Sequence, residues 1–153
     1  MTEKSSTKIL EFLEGTGTDM KGRSLDEIID QDDEFWSRRH EFIQWLFPLN
    51  EKSLAVPKSP ILEDSEIIKI KESSVAQASI NRNLERYKQF LRSNKEWHSR
   101  HDHNHLRITR VLKCLKLLRD LESARQFKYW IAGELGDAID TVNERTKQYW
   151  RQM

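Results

Sequence analysis

Four histidines and an aspartate crowd a short stretch of this 153-residue chain: His98, His101, Asp102, His103 and His105. Imidazole is a frequent ligand of zinc, and His101 and His105 would share one face if a helix begins early enough. A metal held there would activate water, so a metal-dependent hydrolase using the His98–His105 cluster is one reading. The spacing matches no firm zinc pattern, no His-Glu-x-x-His is present, and the lone Cys114 lies more than two turns away. No metal ligand is therefore assigned. The chain also lacks Gly-x-Ser-x-Gly, a P-loop and a dinucleotide fingerprint, so neither a catalytic residue nor a cofactor is expected.

A second set of chemistry-bearing residues follows at His103, Asn104, Arg107 and Arg110. At about 100° per helical residue, Ile108, Val111, Leu112, Leu115 and Leu118 make a broad apolar face. Leu106 and Leu117 fall beyond the two arginines, which thus occupy a narrow polar strip. They would either hold carboxylates such as Asp19, Asp32 or Asp33 through bidentate bonds, or face a groove and take a peptide carboxylate, phosphate or other anion. Basic residues from Arg107 to Arg119 wind around the helix instead of forming one stripe, which argues against a nucleic-acid recognition helix.

Upstream, His40 and Gln44 stand one turn apart at the edge of an apolar arc formed by Phe35, Trp36, Phe42, Ile43, Leu46 and Phe47. They are placed either to orient a ligand or to serve as bonded core polar groups. Trp45 lies outside the arc and is expected to make a second core contact. Trp97 is expected to be buried as well. The candidate ligand-binding residues are thus Arg107, Arg110, His103, Asn104, His40, Gln44 and Trp45.

Helices must position these groups. Five glycines and three prolines punctuate the chain, and between them apolar residues recur at helical spacing without sustained alternation. The expectation is an all-α fold, a compact multi-helix bundle of about six to eight helices. Lys8 to Glu14 predicts a short helix stopped by Gly15, and Ser24 with Glu27 a capping box. Asp32 or Asp33 opens a helix running to Phe47, where Pro48 halts it. After an irregular stretch around Pro57 and Pro60, helices are predicted at Asp64–Ile70 and Ser74–Arg92. A strong helix follows the histidines to about Leu121, another is capped by Ser123 with Gln126, and a last one runs through Ile139, Val142 and Thr146 to Tyr149.

The length suits a single domain over residues 1–153, with residues 1–6 as a flexible tail. A charged fraction of 33% beside 37% hydrophobic residues describes a globular chain, and a net charge of +1 disfavours polyanion binding, so no nucleic-acid partner is expected. No stretch approaches the roughly 20 apolar residues of a membrane span. Cys114, inside an apolar pattern, reads as a small buried thiol, and the expected location is cytoplasmic.

Two blocks go beyond pattern: His40-Glu41-Phe42-Ile43-Gln44-Trp45-Leu46-Phe47-Pro48-Leu49 and His103-Asn104-His105-Leu106-Arg107-Ile108-Thr109-Arg110-Val111-Leu112. Together they resemble the signature of the opioid growth factor receptor conserved domain. Phe12-Leu13, Gly15, Asp19, Gly22-Arg23, Leu25, Ile28, Pro60-Ile61-Leu62 and Tyr149-Trp150 extend that resemblance over nearly the whole chain. It implies an all-helical domain which, in animals, carries a long repetitive tail, associates with the nuclear envelope and binds the pentapeptide met-enkephalin. Here the sequence closes just after Trp150, as expected of a stand-alone, microbial-style version. The expected role is a non-enzymatic interaction domain with a peptide or protein ligand. A purely oligomerising protein would instead expose an apolar patch made from Trp97, Trp130 or Trp150.

Overall fold

A computed structural model describes residues 7–53 and 56–152; the tail expected over residues 1–6 lies outside the described residues. The fold is all-α, as the periodicity predicts, with no strand among the described residues. The helices are α1 (Lys8–Leu13), α2 (Leu25–Ile29), α3 (Asp33–Arg38), α4 (Ile43–Leu46), α5 (Asp64–Glu72), α6 (Ser74–Ser93), α7 (His103–Leu118), α8 (Leu121–Leu135) and α9 (Glu144–Gln152). Short 3-10 turns lie at Lys95–Trp97 and Gly136–Thr141. No helix of the described residues is long and apolar enough to cross a membrane. The chain divides into two compact units, Met1–Tyr87 and Lys88–Met153.

In the N-terminal unit the capping signals act as read. Ser24 Oγ accepts the Glu27 N–H while the Glu27 carboxylate accepts the Ser24 N–H, closing the box that starts α2. Asp32 caps α3 through the Phe35 N–H. The single helix expected from Asp32 to Phe47 is instead broken: Arg39 is extended at φ −86°, ψ 149°, and helical bonding resumes at Ile43. The reason lies in burial. Phe42, Ile43, Gln44, Trp45, Leu46 and Phe47 are all buried, and six consecutive residues on one uninterrupted helix would point all around its axis. The break brings Phe42 against both Phe35 and Trp36, at ring separations of 5.1 and 5.0 Å. It also accounts for the count of nine α-helices among the described residues, one above the expected range.

Trp36 is fully buried, donates its Nε1–H to the Ile28 carbonyl at 3.1 Å, and lies under the Arg86 guanidinium. Glu66 of α5 is also wholly buried, and its Oε2 accepts the Leu10 N–H of α1 at 2.9 Å. A carboxylate thus supplies from another helix the cap that Thr7 does not. Burial raises the Glu66 pKa above its ordinary value of 4.5, with hydrogen bonds from Leu10 and Ile9 working against that rise. A raised folded-state value makes its contribution fullest below the ordinary carboxylate range and diminishes it as pH rises through the folded pKa. Urea melts of wild type and Glu66→Gln across that range are therefore expected to show the wild type losing ground to the variant as pH increases. A stability difference independent of pH would contradict this.

The C-terminal unit is built on α7 and α8, which pack together, with α9 against α7. Asp102 caps α7 through the Asn104 N–H. Asp120, not Ser123, caps α8: its carboxylate accepts the Ser123 N–H at 2.7 Å, and that bond is the main cause of its lowered pKa. Gly136 ends α8 with φ at +49°, a conformation that favours glycine. Trp97 is fully buried and donates to the Leu91 carbonyl. Cys114 is buried as expected, which pushes its thiol up to about 12.

Candidate functional site

Within the C-terminal unit α7, α8 and α9 enclose an apolar cleft. Along α8, Lys128, Ile131, Ala132 and Leu135 follow the i, i+3, i+4, i+7 spacing of one helix face and line its wall. Leu112 of α7 and Ile139 of the 3-10 turn complete the apolar surface, and Lys147, Trp150 and Arg151 come from α9. Its volume is about 110 Å³. An engineered apolar cavity of about 150 Å³ takes a benzene ring, so this one suits a single small aliphatic group.

The aromatic wall is fixed by a relay of hydrogen bonds. Trp150 donates its Nε1–H to Thr109 Oγ1 at 3.0 Å, and Thr109 donates to the His105 carbonyl at 3.1 Å. His105 stands edge-on to Trp150 and its Nε2 lies 2.8 Å from the Trp97 carbonyl.

Three cations border the cleft. Lys128 Nζ donates to the Arg151 carbonyl at 3.4 Å, near the C-terminus of α9. Lys147 is buried, with its Nζ 2.8 Å from Glu144 Oε1, and Arg151 Nη1 lies 4.0 Å from Glu144 Oε2. The hydrogen bond from Lys147, and then its charge, lowers the Glu144 pKa. Glu144 itself is largely exposed, at 71% of its side-chain surface. The arrangement combines an apolar pocket with two cations, Lys147 and Arg151, engaged by one exposed carboxylate.

The residues singled out by sequence fall in two groups, one in each unit. On α7, His103 is exposed with its Nδ1 3.7 Å from the Asp102 carboxylate, and Arg110 is half-buried. Asn104 and Arg107 are buried and brought together, Arg107 Nη1 standing 3.5 Å from Asn104 Oδ1. In the other unit His40 is exposed, its N–H donating to the Glu41 carboxylate, and it precedes α4 instead of sharing a helix with Gln44. Gln44 and Trp45 are buried, and Trp45 meets Phe12 edge-on at 5.5 Å. Neither Gln44 Oε1 nor Trp45 Nε1 has a hydrogen-bond partner among the described residues.

The carboxylates expected to pair with the α7 arginines have partners in their own unit: Asp19 with Arg23, Asp33 with Arg86, and Asp32 with the α3 backbone. The histidines do not act as one group. His98 packs edge-on against Trp97, with its pKa lowered by burial and then by Lys95. Nδ1 of His101 faces the Asn143 amide, and His105 faces the Trp97 carbonyl. Among the described residues no three His, Cys, Asp or Glu side chains are grouped to hold a metal. Of the three tryptophans that would mark an exposed patch, Trp97 and Trp150 are buried and Trp130 is half-buried under Lys88 and Arg92.

None of the cleft's lining residues was singled out as a ligand contact. The signal present was the 128, 131, 132, 135 stripe, whose solvent-facing lysine and alanine distinguish it from a plain core face. Residues 16–94, just over half of the chain, match the opioid growth factor receptor (OGFr) conserved region. No curated protein and no solved structure matches. The block from His40 to Leu49 lies inside the matched span, whereas the block from His103 to Leu112 and the cleft lie outside it.

Proposed function

We propose that this chain, which belongs to the opioid growth factor receptor conserved-region family, is a non-enzymatic binding module that takes one apolar side chain of a peptide or protein partner into the cleft of its C-terminal unit. The observation that carries this reading is the cleft itself: an apolar wall of Leu112, Ile131, Leu135, Ile139 and Trp150, with cations at its border. Concave apolar surface with a few placed polar groups is what ligand sites are made of. Its size suits one anchoring side chain and not a whole ligand, as hot-spot pockets do at protein interfaces.

Gln44, Trp45, Asn104 and Arg107 are buried and none of them lines the cleft, which favours their structural reading. A displayed library of random short peptides selected on the full chain tests the proposal. Ala132, exposed at the cleft wall, gives the control: Ala132→Leu fills the pocket with an aliphatic group of its own size without disturbing the core. Selected peptides are expected to bind the wild type and to lose about tenfold or more on Ala132→Leu, the scale of one lost buried apolar anchor. If no peptide is enriched, or if every enriched peptide binds the filled variant equally well, the reading fails.

A further inference from the structure

Resting on that reading, we infer that the partner presents a carboxylate beside the apolar side chain, and that this carboxylate displaces Glu144 from Lys147 and Arg151. Three observations on α9 carry it. Lys147 and Arg151 both line the cleft, so a ligand anchored there lies beside the two residues that hold Glu144. Lys147 is buried, and a cation so placed demands an anion. The anion it now has is Glu144, one turn back on the same helix and largely exposed. An exposed carboxylate holds a partner weakly against solvent and side-chain entropy, so an anchored ligand can replace it. Glu144 then marks the position of the ligand's carboxylate and competes for it, setting a threshold that only an anion attached to an apolar group overcomes.

The structural alternative is that Glu144 serves only as a favourable acid in the first turn of α9. The two are separable. The full chain would be titrated with 4-methylpentanoate and with 4-methylpentan-1-ol, which share the apolar tail and differ in the charged end, while amide shifts of Ile131, Ala132 and Leu135 are followed by NMR. The carboxylate is expected to bind about tenfold more tightly than the alcohol, the return of one charge-assisted hydrogen bond. Glu144→Gln is expected to bind the carboxylate several-fold more tightly still, and Arg151→Gln, at a largely exposed position, more weakly at an unchanged melting temperature.

Equal binding of carboxylate and alcohol, or a Glu144→Gln affinity no different from wild type, overturns the inference. Such a result leaves the peptide reading standing, because selected peptides can then anchor through neutral sequences. Carboxylate binding without any selected peptide has the converse meaning: the anion site stands and the peptide partner is removed.

Discussion

Asp19→Ala is expected to lower the stability of the chain by about 3–5 kcal/mol, the cost of removing one partner from a buried charged pair. Asp19 is buried, and its Oδ1 accepts both the Lys21 and the Arg23 N–H groups at 2.9 Å. Its Oδ2 accepts the Arg23 Nε–H at 2.8 Å and lies 2.8 Å from Nη2 in an ion pair. That guanidinium in turn lies over the Phe35 ring. One carboxylate therefore closes the loop ahead of α2 and pins the arginine that covers α3. Without it, two backbone donors lose their acceptor and a mostly buried cation keeps only the longer contact to Glu41 at 3.7 Å. Asp19→Asn keeps an oxygen for the backbone donors but gives up the charge, so it is expected to fall between wild type and alanine. Denaturant melts of the three proteins check the order. A loss under about 1 kcal/mol for alanine would class the pair with exposed ones.

Asp19 also shows where sequence reasoning stops. Its importance was legible, because it stands in a glycine-bounded loop and among the residues that resemble the family. Its partner was not. An arginine strip on a distant helix looked suited to such a carboxylate, yet the nearer Arg23 reaches it from the same loop once the backbone turns. Charge pairing depends on which stems the fold leaves room for, and spacing along the chain does not encode that.

Local chemistry read well wherever one element decided the outcome. The Ser24 and Glu27 box, the Asp32 cap and the burial of Trp45, Trp97 and Cys114 each follow from a handful of neighbouring residues. The break at Arg39 follows from something else: three aromatic rings, Phe35, Trp36 and Phe42, reach one another only if helical bonding lapses between them, and tertiary contact overrides helical propensity there. Asp120 displaced Ser123 as the cap of α8 because both satisfy the same rule three residues apart, and the rule alone does not choose. The cleft was out of reach for a further reason. Its surface is shared among three helices and a 3-10 turn, where the apolar spacing predicts one last helix through Ile139, Val142 and Thr146 to Tyr149. The stripe of Lys147, Trp150 and Arg151 appears only with α9 running from Glu144 to Gln152.

Trp97→Ala is expected to cost about 3–5 kcal/mol, the range for removing a large buried aromatic. The ring is inaccessible, its Nε1–H bonds the Leu91 carbonyl at 2.9 Å, and its own carbonyl lies 2.8 Å from His105 Nε2. Because His105 stands against Trp150, which walls the cleft, a cavity at Trp97 is expected to loosen the cleft as well as the core. Trp97→Phe retains most of the apolar contact and gives up the hydrogen bond, so about 1–3 kcal/mol of loss is expected from the carbonyl left without its donor. Thermal melts combined with Trp150 side-chain NMR separate the two effects: the alanine variant should broaden the Trp150 indole signal while the phenylalanine variant preserves it. The same melts bear on the expectation of a single domain. Asp19 lies in the N-terminal unit and Trp97 in the C-terminal one, so if the chain unfolds as one cooperative block, each substitution lowers the same single transition. If Asp19→Ala shifts one transition while Trp97→Ala shifts another, the two units are separate folding blocks and the single-domain proposal falls.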